Sequence, residues 1–316
     1  MRAFMVPALF STSISCYLLA LLFLAAPVPC FSQAPGQDSE AAGIAAEQAG
    51  RVREALQHYL AALRNQPDPP PLQADDRLRE RIIKLVRSLT PSPAIPEEAE
   101  RFSIRGLTLL KKATSDEDFD RVISEFKKAL RVAPWWADAY INLALVQEKA
   151  GDPSGAIRSL KFYLLASPNA KDAREVRAKM IELEVEAEEV AAIKRLEGKW
   201  QSLRAGTQWP DVMELKSRGK AVTMVPLVLM GILKPGDYLF FESFKGLTVR
   251  GKMVRDLKHV MEKAPCYGIQ REDPISASVS PDGKTMRLWG QIPSFNIWDC
   301  TMFQRYYEQE FRRISQ

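Results

Sequence analysis

Side chains that could perform catalysis are scarce in this sequence. Its 316 residues include only two histidines, His58 and His259, and four cysteines. Two histidines are too few for a multi-histidine metal site, and neither belongs to a His-Glu-x2-His motif. The sequence also has no Gly-rich phosphate loop and no Gly-x-Ser-x-Gly nucleophile elbow. It therefore predicts a protein that is not an enzyme and that uses no cofactor and no metal.

The first 34 residues have the pattern of an export signal. Arg2 is the only charged residue before Asp38, and an apolar segment over residues 14–28 precedes a run of small residues. Cleavage after Ser32 is favoured over cleavage after Ala34, which would leave a proline at the new N-terminus. We expect a signal peptide over residues 1–32 and an exported protein, periplasmic or extracellular.

Two other interpretations of this segment are an uncleaved membrane anchor and a lipoprotein signal. An uncleaved anchor is disfavoured because the apolar segment is shorter than the roughly 20 residues that span a bilayer. Lipidation of Cys30 stays open, although the Val-Pro-Cys sequence departs from the lipobox pattern of bacterial lipoproteins.

Export bears on the state of the cysteines. Cleavage after Ser32 removes Cys16 and Cys30 and leaves Cys266 and Cys300. Two cysteines that remain in an exported chain are more commonly bridged than free. We therefore predict a disulfide between Cys266 and Cys300.

The charge of the chain excludes one class of partner. Lysine and arginine number 44 against 39 acidic residues, a mild excess that is spread along the sequence. Because no basic block could follow a phosphate backbone, binding of nucleic acid is not expected.

Residues 36–195 contain an internal repeat with a period of 34 residues. The matching pairs are Val122 and Ala156, Phe126 and Leu160, Ala129 and Tyr163, and Pro134 and Pro168. This period is that of tetratricopeptide repeats. The pattern Tyr140-x2-Leu143-Ala144-x2-Gln147 resembles the first helix of that family, and Ala156-x3-Leu160 resembles its second helix.

The resemblance divides the helical half into repeats near 36–69, 103–136 and 137–170, followed by a capping helix over 171–195. A further proline-bounded helix is predicted at about residues 74–89. In the middle repeat the turn between the helices is one helical turn longer, so either Gly106 or Leu110 could mark the close-packing position.

The resemblance to the tetratricopeptide family implies a concave surface that binds a peptide or a helix of a partner protein. If the 140–149 helix matches the first helix of the family, the residues on that surface are Asp138, Ile141, Leu145 and Glu148.

From Leu196 onwards the apolar pattern has a period of two, in short runs separated by turn residues. This pattern predicts an antiparallel barrel or sandwich, with a hairpin at Asp282-Gly283. Segment 222–233 is expected to form buried strands rather than a loop that docks to a membrane. Segment 303–314 has helical spacing, but we favour a strand that begins near Cys300 and ends in a helical turn.

The tripeptide Gly198-Lys199-Trp200 resembles the start of lipocalin-like barrels. The resemblance implies that Trp200 closes one end of a barrel, and that Arg312 or Arg313 packs across it. A barrel of this family is also a possible site for a small apolar ligand.

Together these patterns predict an α+β multidomain protein of the bacterial envelope type. An N-terminal all-α tetratricopeptide array is followed by a C-terminal antiparallel, lipocalin-like β-barrel over residues 196–316. The expected function is that of a protein-binding adaptor or scaffold whose barrel docks or senses. The alternative function is that of a carrier for a small apolar ligand.

Overall fold

The computed structural model describes residues 35–67, 69–203, 211–227, 237–241, 248–256, 270–295 and 302–315. The predicted signal peptide, Cys266 and Cys300 lie outside the described residues. The chain divides into two compact units, Met1–Gln66 and Pro67–Gln316.

The first unit contains a pair of helices, α1 (Pro35–Gln48) and α2 (Val52–Arg64). The two helices approach closely at Gly43, where an added Cβ would lie 2.5 Å from the ring of Tyr59. A small residue facing a large one is the packing expected within a single repeat.

The second unit begins with six helices that together bury one apolar core. They are α3 (Leu72–Ser88), α4 (Glu97–Leu110), α5 (Asp116–Val132), α6 (Ala137–Lys149), α7 (Pro153–Ala166) and α8 (Ala173–Lys194). Each helix from α4 to α8 packs against the next one in the chain. Local signals set several of these helix ends: Ser115 and Asp118 form a capping box at the start of α5, and Asp152 caps α7.

The middle repeat uses Gly106 as its close-packing residue. A Cβ on Gly106 would lie 3.2 Å from the ring of Phe126, whereas Leu110 is a partly buried residue at the end of α4. The first helix of this repeat therefore starts at Glu97, six residues before the predicted repeat boundary at 103.

Helix α3 packs against α7 and is joined to the array by a buried ionic cluster. Asp75 is 2% exposed and accepts hydrogen bonds from Arg79, at 2.8 Å, and from Arg158 of α7. Arg79 also donates to the backbone oxygen of Leu130 on α5 at 2.9 Å. Helix α3 thus packs against α7 and is tied to α5 through Arg79.

The rest of the second unit is a closed barrel of eight strands. The strands are β1 (Gly198–Ser202), β2 (Val212–Arg218), β3 (Ala221–Pro226), β4 (Tyr238–Phe241), β5 (Thr248–Asp256), β6 (Gln270–Val279), β7 (Thr285–Phe295) and β8 (Met302–Ser315). Each strand pairs antiparallel with the next, and β1 pairs with β8 to close the barrel. The predicted fold class, a helical array followed by an antiparallel barrel, is confirmed.

One strand contains a proline, and another differs from the sequence prediction. Strand β6 continues through Pro274, which lies opposite Lys252 of β5. Strand β8 continues to Ser315 without a helical turn, and its buried Tyr307, Gln309 and Phe311 alternate with exposed residues. Its pairing along both β7 and β1 outweighs the helical spacing of its apolar residues.

The barrel contacts the helices through the tip of the β2–β3 hairpin. Arg218 forms salt bridges with Asp116, at 3.2 Å, and Asp120, at 3.0 Å, both at the start of α5. On the other side of the tip, Lys220 forms salt bridges with two glutamates of α8. The hairpin thus bridges α5 and α8.

Candidate partner-binding surface

The four predicted partner-binding residues lie on helix α6. Asp138 and Leu145 are exposed, and Ile141 and Glu148 are half-buried. They follow one side of the helix, next to the buried position of Ala144, with the spacing of three and four residues that places side chains on one face.

Leu107 of helix α4 occupies the position in the preceding repeat that corresponds to Leu145. It follows Gly106 as Leu145 follows Ala144, so the two leucines occupy equivalent positions in successive repeats. They are 40% and 47% exposed, respectively, although both are large and apolar. We call the surface formed by Leu107, Asp138, Ile141, Leu145 and Glu148 the first-helix face, because α4 and α6 are the first helices of their repeats.

A hydrogen bond between Tyr163 of α7 and Asp172 lies at one edge of this face, near Asp138. The Tyr163 hydroxyl donates to Asp172 at 2.6 Å. This hydrogen bond, burial, and the negative charges of Asp172 and Asp138 raise the pKa of Tyr163 to about 12. The phenol therefore stays protonated at neutral pH and serves as a hydrogen-bond donor rather than as a general base.

Helix α8 contributes a cation at the opposite end of α6. Lys179 lies 2.7 Å from Glu148 and 3.4 Å from Glu182. The hydrogen bond to Glu148 is the largest cause of a raised pKa of Lys179. Glu148 is therefore already part of an ion pair, whereas Leu107 and Leu145 present apolar surface.

The Gly-x-Trp tripeptide begins strand β1. Gly198 has a φ of 127°, which L-residues with a side chain rarely adopt. Trp200 is fully buried, and its indole N–H donates to the backbone oxygen of Leu196 at 3.0 Å.

The arginine across from this tripeptide is Arg313. It lies opposite Trp200 in the register of β1 and β8, and its guanidinium donates to the backbone oxygen of Glu197. Arg312 instead lies opposite Gln201 and is exposed. Of the two arginines that the sequence left open, the structure thus places Arg313 across from the tryptophan, because alternate residues of a strand face opposite sides.

Solved structures similar to this chain are tetratricopeptide-repeat proteins. One is the complex of the TPR2B domain of yeast Sti1 with pHsp70, with 19% identity, 48% of this chain and 97% of that chain covered, and a TM-score of 0.25. Another is MamA, with 17% identity and a TM-score of 0.22. The similarity covers 49% of this chain and 94% of that chain. A third is the myosin chaperone UNC-45 from C. elegans in complex with an Hsp90 peptide, with 21% identity and a TM-score of 0.22. The similarity covers 52% of this chain and 16% of that chain.

Similarities at these TM-scores carry no argument about the partner of this chain. The sequence matches no protein-family model. It also matches no curated protein.

Among the residues that the structure describes, no group of three or more His, Cys, Asp or Glu side chains is placed to hold a metal ion. In the same part of the chain, no helix combines the length and the apolar character needed to cross a membrane.

The sequence did not identify Leu107 of the first-helix face, nor Lys179 and Tyr163 beside it. Leu107 was missed because the register of the middle repeat was open between Gly106 and Leu110. Lys179 was missed because its helix was interpreted as a cap. The hydrogen bond of Tyr163 to the α7–α8 turn has no local sequence signal. For Leu107 a signal existed: its distance from Leu145 is the 34-residue period plus the four residues of the longer turn.

Proposed function

We propose that this chain is a non-enzymatic adaptor or scaffold that binds a peptide or a helix of a partner protein on the first-helix face. The observation that carries the proposal is the pair Leu107 and Leu145. Two large apolar side chains at equivalent positions of successive repeats are 40% and 47% exposed. Their burial against a partner would remove apolar surface from water, which favours association by about 25 cal/mol per Å².

The polar residues around the two leucines are suited to orient such a partner. Asp138 is exposed near the Tyr163–Asp172 pair, and the Glu148–Lys179 pair lies at the other end of α6. An apolar centre with a charged rim is the usual anatomy of a protein interface. The residues proposed to contact the partner are Leu107, Asp138, Ile141, Leu145 and Glu148.

For the barrel we propose a lipocalin-like relationship and a role in docking or sensing. The support is the arrangement of Gly198, Trp200 and Arg313 in an eight-stranded closed barrel. The alternative function, a carrier for a small apolar ligand, needs an open interior. The described buried side chains of the barrel pack into one apolar cluster, which gives that alternative no support.

We also propose that the protein is exported and acts in the periplasm or outside the cell, as a component of a bacterial envelope. The support is the sequence pattern of residues 1–32.

The proposed function can be tested by affinity capture from an envelope extract with matched variants. Proteins captured by the wild-type chain are compared with those captured by Leu145→Asp, which places a charge on the first-helix face. The control is Leu72→Asp, because Leu72 is 59% exposed on α3. We expect a partner that is retained by the control and lost with Leu145→Asp, and that binds the purified wild-type chain in calorimetry.

If every captured protein is retained by a Leu107→Asp, Leu145→Asp double variant, the first-helix face is not the binding surface. Titration with an apolar fluorescent dye examines the alternative function. Saturable quenching of tryptophan fluorescence that is unchanged in Leu145→Asp would favour the carrier over the adaptor.

A further inference from the structure

The outer side of helix α8 carries an apolar patch that is unusual for a capping helix. Val176 and Leu183 are buried against the array, and the opposite side of the helix exposes Ile181 and Val185 by 64% and 60%. Of the large apolar side chains that the structure describes, Ile181 is the most exposed. A terminal helix normally keeps its outer face polar, because the array would otherwise associate.

Charged residues lie on both sides of this patch, with opposite signs. Arg174 and Arg177 lie toward the N-terminus of α8, and Glu188 lies toward its C-terminus. With 3.6 residues per turn, all three lie on the same side of the helix as Ile181 and Val185. We call these five residues the outer face of α8.

The outer face of α8 is complementary to the same face of a second α8 that runs in the opposite direction. If a second α8 is laid antiparallel across the first, with the two-fold axis between Ile181 and Val185, each Ile181 meets Val185 of the second copy. In the same register each Arg177 lies beside Glu188 of the second copy. A parallel pair would instead bring Arg177 beside Arg177, which like charges disfavour.

We propose that the outer face of α8 is a self-association surface, on which a second copy of this chain docks through its own α8 in antiparallel orientation. Such an interface is isologous, since the same patch is used on both copies. Two apolar residues from each copy form its centre, and two Arg177–Glu188 pairs form its rim.

The size of the patch indicates how strong the dimer is. Helix α8 has 22 residues, and one pair of such helices is small compared with a standard interface of about 1,600 Å². We therefore expect a reversible dimer whose population depends on protein concentration.

Sedimentation equilibrium of the full exported chain over a range of concentrations tests the proposal. The wild-type chain is expected to show a monomer–dimer equilibrium. An Ile181→Ser, Val185→Ser double variant is expected to weaken the dimer by about tenfold or more, because the two copies together lose four apolar side chains from the interface. Ile104→Ser on α4 is the control, because Ile104 is 62% exposed and lies outside the outer face of α8.

A charge exchange tests the orientation of the two helices. Arg177→Glu and Glu188→Arg, each alone, are expected to weaken the dimer, and the two together are expected to restore it. Circular dichroism should show unchanged folding in every variant, since all of these positions are exposed.

Three results would overturn the proposal. They are a wild-type chain that is monomeric at every concentration, a dimer that survives the serine double variant, and a charge-exchanged double variant that remains weak. If the chain is monomeric alone but binds a different protein through Ile181, the outer face of α8 is a docking surface for that protein and not for a second copy, and the proposal is wrong. Leu145→Asp is expected to leave the dimer unchanged, which separates this inference from the proposed function.

Discussion

Gly151 and Gly219 touch backbone to backbone. A Cβ atom added to either residue would lie 2.9 Å from the Cα of the other. Gly151 ends α6 in a left-handed conformation with a φ of 74°, and Gly219 lies at the tip of the β2–β3 hairpin with a φ of 56°. The turn within the last repeat and a hairpin of the barrel therefore approach more closely than residues with side chains allow.

Gly219→Ala is expected to destabilise the second unit more than Gly283→Ala does. Both glycines have a positive φ, so each substitution costs about 1–2 kcal/mol for the left-handed conformation. At Gly283 the nearest atom to an added Cβ lies 3.8 Å away, whereas at Gly219 the added methyl meets the backbone of Gly151. Denaturant unfolding monitored by fluorescence measures both losses, and equal losses would contradict the close contact.

Asp75→Ala is expected to cost about 3–5 kcal/mol of unfolding free energy, because it leaves Arg79 buried without its carboxylate partner. The matched control is its neighbour Asp76→Ala. Asp76 also pairs with Arg158, but both side chains of that pair are about one-third exposed, and we expect a loss below about 1 kcal/mol. Chemical denaturation compares the two variants, and similar losses would show that the cluster at Asp75 does not hold α3 on the array.

Asp118 is expected to make the stability of helix α5 dependent on pH in the acid range. Hydrogen bonds from the backbone N–H groups of Thr114 and Ser115 lower the pKa of Asp118. Because the pKa is lower in the folded state, the contribution of Asp118 is present above its ordinary pKa and is lost as the pH falls through the folded value. Melting temperatures of wild type and Asp118→Asn should therefore converge on acidification below about pH 4.

Ser115→Ala serves as the control for this pH dependence. It removes the hydroxyl that caps the backbone N–H of Asp118, at a cost of about 1 kcal/mol, and it adds no titrating group. The lower melting temperature of Ser115→Ala relative to wild type should persist at acidic pH. If the melting temperature of Asp118→Asn also stays below that of wild type at acidic pH, the carboxylate charge has no role in the stability of α5.

The disulfide between Cys266 and Cys300 stays a prediction from the sequence. It would close a loop of about 34 residues and stabilise the barrel by roughly 3–4 kcal/mol. Titration of thiols in the denatured, unreduced exported chain should detect none, and a reductant should lower the melting temperature of the barrel. Two titratable thiols would show that the cysteines are not bridged.

The sequence by itself determined the features of this protein that depend on neighbours along the chain. The 34-residue period predicted the last repeat because helix packing recurs at each copy, and α7 begins at Pro153, two residues after the left-handed Gly151. Asp282-Gly283 predicted the hairpin between β6 and β7, where Gly283 has a φ of 69°. Such turns are specified by the conformation of one or two residues, which the residue type restricts directly.

Only the tertiary structure decided between positions that local rules treat alike. Arg312 and Arg313 are adjacent in sequence, but the pairing of β8 with β1 exposes the first and places the second opposite Trp200, since a shift of one residue reverses the side of the sheet. Gly106 and Leu110 lie one helical turn apart on the same side of α4, and contact with Phe126 selects the glycine. The contact of Gly219 with Gly151 joins a hairpin of the barrel to a turn of the helical array, and no local periodicity relates the two residues. These choices depend on which surfaces meet, and that is a property of the folded chain rather than of any one segment.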